Sequence, residues 1–331
     1  MSPTPKSIFI GGTGRCGTNI LKDSLCVHPE AFGLGFESRF TIDPCGVIPT
    51  YQSIMNAWSP LNFNKTLAEF YRFVKRLSAV TPLDRFVNKV EYLLRKIDPS
   101  LSLRAYSHWE LSRYFPSLMP LTEQLLTNLT AGRFFASWHG NNFLTREMYL
   151  PAVNSSNHEY VEEVFSAYLN QLIDEVLQEQ GRRIFVDDNT FNILYATELV
   201  NLVPNSLMIH IYRDPRDVVA SYVRQRWSPS RLDQAIDYYC SIMQRWHDIR
   251  PKVPGNRLLE IRFEEFVESP VERVNEIFSY FSISNATKES VIEKVSVEKA
   301  HINRWQEEFS EPERKQLNSR LEQWLGHYGY A

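Results

Sequence analysis

A short apolar strand that runs straight into a glycine-rich turn and a helix is the feature of this sequence that most constrains its fold. Residues 8–21, IFIGGTGRCGTNIL, place the run IFI directly before the glycines, and residues 18–27 continue with helical spacing. A strand followed by a helix in this way is the usual opening unit of a parallel sheet. The N-terminus therefore predicts the first strand and helix of an α/β fold.

A second block of alternating strands and helices begins after a long middle region. RRIFVDD, SLMIHIYRD and RLLEIRF predict strands, whereas NILYATELVNLV and PRDVVASYVRQRW predict helices, the second of which begins at Pro215. Strands that alternate with helices predict a P-loop-type, three-layer α/β/α fold around a central parallel sheet. No Pro-rich or Gly-rich linker divides the chain, so we predict one domain over residues 1–331.

The middle region predicts a helical insertion at about 41–180. Residues 65–80, 84–97, 121–131 and 158–181 have helical spacing, and the last of these segments ends at Gly181. Residues 41–64 are rich in Pro, Asn, Ser and aromatic residues, and this composition predicts a long loop. Before the insertion, AFGLGFES predicts a second strand that ends near Glu37.

Charge and composition exclude several classes of partner. The 331 residues carry a formal charge of -3, so the basic footprint of a nucleic-acid-binding protein is absent. No run of 18 apolar residues occurs, which predicts no stable insertion into a membrane. The four cysteines have no metal-binding or disulfide spacing, and free thiols are typical of a reducing compartment. We therefore predict a cytoplasmic protein, and the sequence carries no signal for its oligomeric state.

The glycine-rich turn predicts an anion site. Backbone N–H groups and the positive end of a helix dipole converge at such a turn, which suits phosphate or sulfate. The interval Gly12 to Gly17 matches the spacing of a nucleotide triphosphatase loop, but Thr18 stands where the lysine of that loop is required. Gly12, Gly14 and Gly17 also fit a dinucleotide fingerprint, with Glu37 as its acidic residue, and the turn alone leaves that alternative open.

A second anion site is predicted at the end of the strand SLMIHIY. Arg213 follows this strand directly, and Ser221 lies eight residues later on the next helix. Because ligands of parallel sheets bind outside the carboxyl ends of the strands, both side chains are expected to face one crevice with the glycine-rich turn. The alternative is a structural ion pair between Arg213 and Asp214 or Asp217.

Together the two motifs resemble those of the sulfotransferases that use 3′-phosphoadenosine 5′-phosphosulfate (PAPS). GGTGRCGTNIL resembles the 5′-phosphosulfate loop in the arginine-containing form of Golgi-type and bacterial members, and YRDPRDVVASY resembles the 3′-phosphate motif. RFEEFVESPVERVNEIFSYFSI and the ending RW...LGHYGY are similar to later segments of the family. The resemblance covers roughly residues 7–40 and 183–331 and implies a sulfotransferase-like fold.

The resemblance also implies the binding residues and the chemistry. Arg213 and Ser221 would bind the 3′-phosphate, and the 5′-phosphosulfate would lie on Gly12, Thr13, Gly14, Arg15, Cys16, Gly17, Thr18 and Asn19. Such enzymes need no metal and release 3′-phosphoadenosine 5′-phosphate. A cation of the protein must therefore balance the charge on the leaving phosphate, and Arg15 in the loop would have that role. The acceptor would be a hydroxyl, or less readily an amine, of a small molecule, carbohydrate or lipid bound by the 41–180 insertion.

The base for the acceptor hydroxyl has three candidates. Glu37 in GFESRF resembles the catalytic glutamate of tyrosylprotein-type enzymes, although one extra residue separates it from the loop. His108 and His139 are the alternatives, since histidine is the base in the phenol and steroid branch. Asp187 stands where the tyrosylprotein-type enzymes carry a lysine, which puts that substrate class in doubt. Asp188 beside it could orient the loop or an acceptor hydroxyl.

Two other functions remain open at the level of sequence. A nucleotide-dependent kinase could use the same P-loop-type scaffold, and would require magnesium. A non-catalytic nucleotide-binding protein would keep the donor site without a working base.

Overall fold

The helices and strands of the protein follow one another in a mixed α/β order. The computed structural model describes residues 5–98, 101, 103, 105–138, 143–283, 291–295 and 301–330. In chain order the elements are β1 (Ser7–Gly11), α1 (Thr18–Leu25), β2 (Ala31–Gly33), α2 (Val47–Asn56), α3 (Pro60–Ser78), α4 (Pro82–Leu94), α5 (Leu118–Leu129), β3 (Thr130–Trp138), β4 (Phe143–Pro151), α6 (His158–Gln180), β5 (Ile184–Asp187), α7 (Ala196–Leu202), β6 (Ser206–Tyr212), α8 (Pro215–Tyr222), α9 (Leu232–Ile249), β7 (Leu258–Arg262), α10 (Phe263–Glu268), α11 (Pro270–Ser279), α12 (Arg304–Glu308) and α13 (Glu311–His327).

The chain divides into two compact units. The sheet unit consists of Met1–Glu37, Gly181–Val200 and Pro204–Ala331, and the helical unit consists of Ser38–Gln180 with Asn201–Val203. The bounds of the helical unit lie within a few residues of the insertion expected at about 41–180. Whether the whole chain acts as one domain stays a prediction.

A five-stranded parallel sheet is the centre of the sheet unit. Its strand order is β2-β5-β1-β6-β7, and each pair of neighbours runs parallel. The predicted parallel sheet is therefore confirmed. β1 lies in the middle and pairs with β6 from Ser7 to Gly11, so the carboxyl ends of these two strands are adjacent.

Both faces of this sheet are covered by helices, because its strands are apolar on both sides. Ile8 and Ile10 of β1 belong to a core cluster that also contains Leu21 of α1 and Phe266 of α10. On the opposite face, the buried ring of His210 lies 4.9 Å from the ring of Trp246 on α9. Helices on both faces satisfy the requirement of a parallel sheet for cover on each side.

The second strand is shorter than the sequence predicts. β2 ends at Gly33, four residues before Glu37, whereas the expected strand ran to the end of AFGLGFES. The ladder of β2 with β5 stops at the pair Gly33 and Val186. The carbonyl of the next residue, Leu34, accepts a hydrogen bond of 3.0 Å from Lys22 Nζ of α1 and is not part of the sheet.

The helical unit corrects the prediction that residues 41–64 form a loop. α2 occupies Val47–Asn56 and buries Val47, Ile48, Tyr51 and Ile54. These positions share one helix face, so burial of that face outweighs the turn-forming composition of the segment. α3 then begins at Pro60, and the Ser59 hydroxyl caps it by accepting from the amide of Asn62 at 3.2 Å.

An antiparallel hairpin in the helical unit was not predicted. β3 and β4 pair from Thr130 with Pro151 to Trp138 with Phe143, and α5 ends one residue before β3 begins. Because α5 and β3 are contiguous, helical periodicity extended the predicted helix into the first residues of the strand. His139, a candidate base, lies outside the described residues.

None of the helices in the described part of the chain is both long and apolar enough to cross a membrane.

Candidate functional site

The loop between β1 and α1 folds back on itself around Cys16. A Cβ at Gly12 would lie 2.2 Å from Cys16 Sγ, so only glycine leaves room for that thiol. The thiol is fully buried in the core of the sheet unit, and burial raises the pKa of Cys16. The side chain of Cys16 is therefore a packing group, and only its backbone amide can serve a ligand.

Three residues of the loop have left-handed backbone conformations. The φ angles are 84° at Gly14, 60° at Arg15 and 100° at Gly17. A Cβ at Gly17 would lie 2.4 Å from the ring of Phe263, so the loop packs tightly against the start of α10. The left-handed conformation of Arg15 costs on the order of 1 kcal/mol or more and requires support from its surroundings.

The start of α1 carries no side-chain cap. Gly17 occupies the N-cap position, and no side chain accepts a hydrogen bond there. The first turn of a helix has unsatisfied N–H groups and the positive end of the helix dipole. The first turn of α1 therefore offers backbone donors where the loop ends.

The glycine-rich loop and the Arg213 motif are in direct contact. Arg15 Nε donates to Ser221 Oγ at 2.9 Å, and Arg213 Nη1 donates to the carbonyl of Arg15 at 3.4 Å. These contacts join residues that lie about two hundred positions apart in sequence, at the adjacent carboxyl ends of β1 and β6. They also support the left-handed conformation of Arg15 through both its backbone and its side chain.

Arg213 is held in place by further groups of the sheet unit. Its Nη2 donates to the carbonyl of His301 at 2.6 Å and to Asp217 Oδ2 at 3.3 Å, and its guanidinium lies 5.0 Å from the centre of the Phe263 ring. The ion pair with Asp217 that the sequence left open is thus present. Arg213 Nε is nevertheless buried without a hydrogen-bond partner among the described residues.

Thr190 links Glu37 to the glycine-rich loop by two hydrogen bonds. The hydroxyl of Thr190 donates to Glu37 Oε1 at 2.8 Å, and the carbonyl of Thr190 accepts from the amide of Gly12 at 2.8 Å. Thr190 Cγ2 also lies 3.3 Å from the position of a Cβ at Gly14. Thr190 therefore holds Glu37 beside the loop, although Glu37 stands on a connection and not at a strand end.

A buried ion pair lies behind Glu37. Lys22 Nζ of α1 lies 3.3 Å from Asp188 Oδ2, and both side chains are at most 5% exposed. Burial raises the pKa of Asp188 to about 6, the charges of Asp187 and Glu37 raise it too, and Lys22 partly opposes them. The pKa of Lys22 is also raised, because its carboxylate neighbours outweigh its burial. Asp188 thus fastens α1 to the end of β5.

Asp187, which stands where a lysine was expected by resemblance to the tyrosylprotein-type enzymes, is fixed by amides. Its carboxylate accepts from Asn189 Nδ2 at 2.9 Å and from Asn192 Nδ2 at 2.9 Å, and it is buried. The amide of Asn192 also donates to the carbonyl of Ile10 in β1. Asp187 therefore braces the central strands.

Trp227, which is not among the site residues predicted from the sequence, covers the loop. Its indole edge lies 3.0 Å from the position of a Cβ at Gly14, and half of the side chain is exposed. The ring of Tyr222 packs edge-on against it at 5.6 Å, and the hydroxyl of Tyr222 donates to the carbonyl of Thr13. Trp227 stands at the end of the predicted helix PRDVVASYVRQRW, and no local pattern indicates that its ring reaches Gly14. The contacts of Thr190 and Lys22 also depend on tertiary packing, so the sequence did not mark them.

The remaining predicted site residues have local partners. Thr13 is buried and its hydroxyl donates to the carbonyl of Gly14 at 3.3 Å, while Thr18 Oγ1 donates to Asn19 Oδ1 at 3.2 Å. His108 is an exposed residue of the helical unit, and its Nδ1 lies 3.3 Å from Asn88 Nδ2. Within the described ranges, no group of three or more His, Cys, Asp or Glu residues could hold a metal ion.

Comparison with known proteins points to one family. A family model described as "Sulfotransferase family" matches residues 102–287, which is more than half of the chain. This match includes Arg213 and Ser221 but not the loop at residues 12–19. A search of curated protein sequences finds no match.

Similar solved structures carry sulfotransferase titles at low identity. A sulfotransferase domain from the curacin biosynthetic pathway is 14% identical, with a TM-score of 0.44, and the alignment covers 89% of this chain and 79% of that one. Sulfotransferase STF9 from Mycobacterium avium is 13% identical, with a TM-score of 0.45 and coverage of 98% and 77%. Retinol dehydratase in complex with androsterone and inactive cofactor PAP is 12% identical, with a TM-score of 0.38 and coverage of 98% and 82%.

The packing of Gly17 predicts a large effect of a single methyl group. Gly17→Ala should lower the free energy of unfolding by about 3 kcal/mol, because the Cβ clashes with Phe263 and φ is positive. Gly35→Ala is the matched control, since a Cβ there has no neighbour within 4 Å. Urea unfolding measures both, and equal stabilities of the two variants would contradict the packing described for the loop.

The buried Asp188 predicts a specific dependence of stability on pH. The folded state binds a proton at Asp188 more tightly than the unfolded state between about pH 4 and 6, so the contribution of Asp188 to stability should fall as pH rises through this window. The full effect is on the order of 3 kcal/mol. Asp188→Asn should lose this slope, whatever its absolute stability. Parallel profiles of the two proteins in denaturant titrations at several pH values would contradict the assignment.

Proposed function

The chain belongs to the sulfotransferase family, and on that premise we propose that it transfers the sulfuryl group of PAPS to a hydroxyl of an acceptor. An amine acceptor is the less favoured form of the same proposal. The acceptor is a small molecule, a carbohydrate or a lipid, and the helical unit is the segment that we propose selects it. We also propose that the protein works in the cytoplasm, where its four free cysteines would stay reduced.

The observation that carries the proposal is the hydrogen bond between Arg15 and Ser221. At 2.9 Å it brings the glycine-rich loop and the Arg213 motif into one site. A donor with two separated anionic ends needs two anion sites that open to the same crevice. A structural role for either motif alone would not require this contact.

The residues of the site fit PAPS in charge and in donor type. The uncapped first turn of α1 and the left-handed loop suit the 5′-phosphosulfate, which would lie on Gly12 to Asn19. Arg213 offers a guanidinium with one unpartnered nitrogen, and Ser221 offers a hydroxyl, so both suit the 3′-phosphate. Each anionic end thus has neutral or cationic donors within the sheet unit.

Arg15 has a second role in the proposal. Its Nε donates to Ser221 Oγ in this structure, and the hydroxyl proton of Ser221 can still be donated to a 3′-phosphate. We propose that Arg15 turns to the 5′-phosphosulfate when the donor binds, where it stabilises the charge that grows on the leaving phosphate. The bond between sulfur and the bridging oxygen breaks, a bond between sulfur and the acceptor oxygen forms, and 3′-phosphoadenosine 5′-phosphate leaves.

We propose Glu37 as the base that receives the acceptor proton. Thr190 holds its carboxylate beside Gly14 by a hydrogen bond of 2.8 Å, which helps to orient the carboxylate towards the loop. His108 and His139 remain second candidates for this role. PAPS supplies an activated sulfuryl group, so the proposal includes no metal ion.

The family assignment disfavours a kinase but leaves a non-catalytic member to be tested. A kinase would transfer phosphate only with magnesium, whereas sulfuryl transfer should continue in the presence of a chelator. A non-catalytic member would bind the nucleotide without turnover.

Binding of the product nucleotide tests the donor site. Ser221→Ala should weaken binding of 3′-phosphoadenosine 5′-phosphate by about tenfold or more, because one hydrogen bond to a charged phosphate is lost. Ser241→Ala on α9 is the control, since its hydroxyl donates to the local carbonyl of Tyr238. Calorimetry measures both variants. No binding by the wild type, or equal binding by Ser221→Ala, would overturn the donor assignment.

Replacement of Glu37 separates catalysis from binding. Glu37→Gln keeps an acceptor for the Thr190 hydroxyl but cannot take a proton, so turnover should fall at least a hundredfold while nucleotide affinity is preserved. Transfer of labelled sulfate from PAPS to a panel of hydroxyl acceptors, with chelator present, provides the assay. If turnover survives in Glu37→Gln, His139→Ala and then His108→Ala are the variants to compare.

A further inference from the structure

Helix α4 of the helical unit exposes its apolar residues. Phe86 is 65% exposed, Leu93 is 60% exposed and Ile97, in the turn that extends the helix, is 85% exposed. Together with Leu83 and Val90 they recur at alternating intervals of three and four residues. That spacing places all five on one stripe along the helix. Side chains of this type are normally the buried face of such a helix.

The opposite face of α4 is polar and is tied down within the helical unit. Asp84 is fully buried, and Arg76 Nη1 of α3 donates to its Oδ2 at 2.7 Å. Asn88 Nδ2 donates to the carbonyl of Ser107 at 3.0 Å, and Glu91 Oε2 accepts from the amide of Leu103 at 3.0 Å. These contacts hold the apolar stripe outward, because turning the helix would leave buried carboxylates without partners.

Two arginines, Arg76 and Arg95, balance the negative charges of the buried face of α4. Hydrogen bonds from Arg76 and Thr81 hold the pKa of Asp84 well below its usual range. Arg95 Nη2 lies 2.5 Å from Glu91 Oε1, which balances the second buried carboxylate. Asp84 and Glu91 are the two acidic residues between positions 82 and 97. Both are therefore buried, and each is paired with an arginine.

Exposed cations follow one flank of the apolar stripe. Arg85, Lys89 and Lys96 are exposed and, with Tyr92 between them, recur at intervals of four, three and four residues. Lys96 Nζ lies 5.6 Å from the centre of the Tyr92 ring. No exposed acid occurs between residues 82 and 97, although the chain as a whole carries a formal charge of -3.

We propose that α4 docks on an anionic lipid surface. Phe86, Leu93 and Ile97 enter the boundary between headgroups and acyl chains, and the cations of the flank contact lipid phosphates. A helix with an apolar stripe, flanking Lys and Arg and an aromatic residue at the edge has the composition of helices that lie in the plane of a membrane interface. In this proposal α4 lies in the plane of the membrane surface.

Charge favours this occupant over a second copy of the chain. Two antiparallel copies that met along this stripe would bring the rows of Arg85, Lys89 and Lys96 to the same side, and two parallel copies would place them on opposite sides. In neither arrangement does α4 offer an exposed acid to balance the cations. An anionic lipid surface supplies the opposite charge to the whole row at once. The inference concerns the helical unit alone and does not depend on the proposed chemistry.

Vesicle flotation of the full-length chain tests the proposal. Wild type should bind vesicles of an equal mixture of phosphatidylcholine and phosphatidylglycerol, and should bind pure phosphatidylcholine far less. The double variant Phe86→Ser, Leu93→Ser should bind the mixed vesicles at least tenfold less. The double variant Lys89→Gln, Lys96→Gln should lose roughly fivefold for each cation, and added salt should weaken wild-type binding.

Val153→Ser is the matched control, because Val153 is an apolar residue of the same unit that is 91% exposed and lies outside α4. It should bind vesicles as the wild type does. All altered side chains are exposed, so thermal unfolding should be unchanged and any loss of binding can be assigned to the surface. No binding by wild type, or equal binding by wild type and both double variants, would overturn the proposal. A wild-type dimer that Phe86→Ser, Leu93→Ser converts to a monomer, without vesicle binding, would identify the stripe as a self-interface instead.

Discussion

The contact on which the site depends is the one between Arg15 and the two ends of the Arg213 motif. The side chain of Arg15 donates to Ser221, and its carbonyl accepts from Arg213. This pairing holds a non-glycine residue in the left-handed conformation at the tip of the loop. It is possible only because β1 and β6 are neighbours in a parallel sheet, which brings their carboxyl ends together.

The surroundings of the loop are built to keep that contact in place. Gly12 makes room for the buried thiol of Cys16, and Gly17 lets the loop approach Phe263. The guanidinium of Arg213 is held in position, because its Nη2 donates to the carbonyl of His301 and to the carboxylate of Asp217. These contacts fix the backbone of the loop on several sides, whereas the side chain of Arg15 is exposed, and we propose that it changes partners when an anion enters.

Sequence patterns predicted the sheet, and they identified the two motifs that meet at its edge, because both depend on local order. Apolar strands, glycine spacing and the interval from Arg213 to Ser221 are all readable along the chain. The bond of Thr190 to Glu37 and the position of Trp227 over Gly14 depend on tertiary packing, so no local pattern carried them. The outward stripe of α4 was hidden for a related reason. Periodicity shows which residues share a helix face, but it does not show which face is buried. In α4 the ion pairs of Asp84 and Glu91 bury the polar face.

The most direct test of the account is a crystal structure with 3′-phosphoadenosine 5′-phosphate bound. We expect the 5′-phosphate on the backbone amides between Gly14 and Asn19, the 3′-phosphate within hydrogen-bond distance of Ser221 and Arg213, and the Arg15 side chain released from Ser221. A nucleotide bound elsewhere, or with its 3′-phosphate away from both residues while the bond from Arg15 to Ser221 persists, would contradict the central claim.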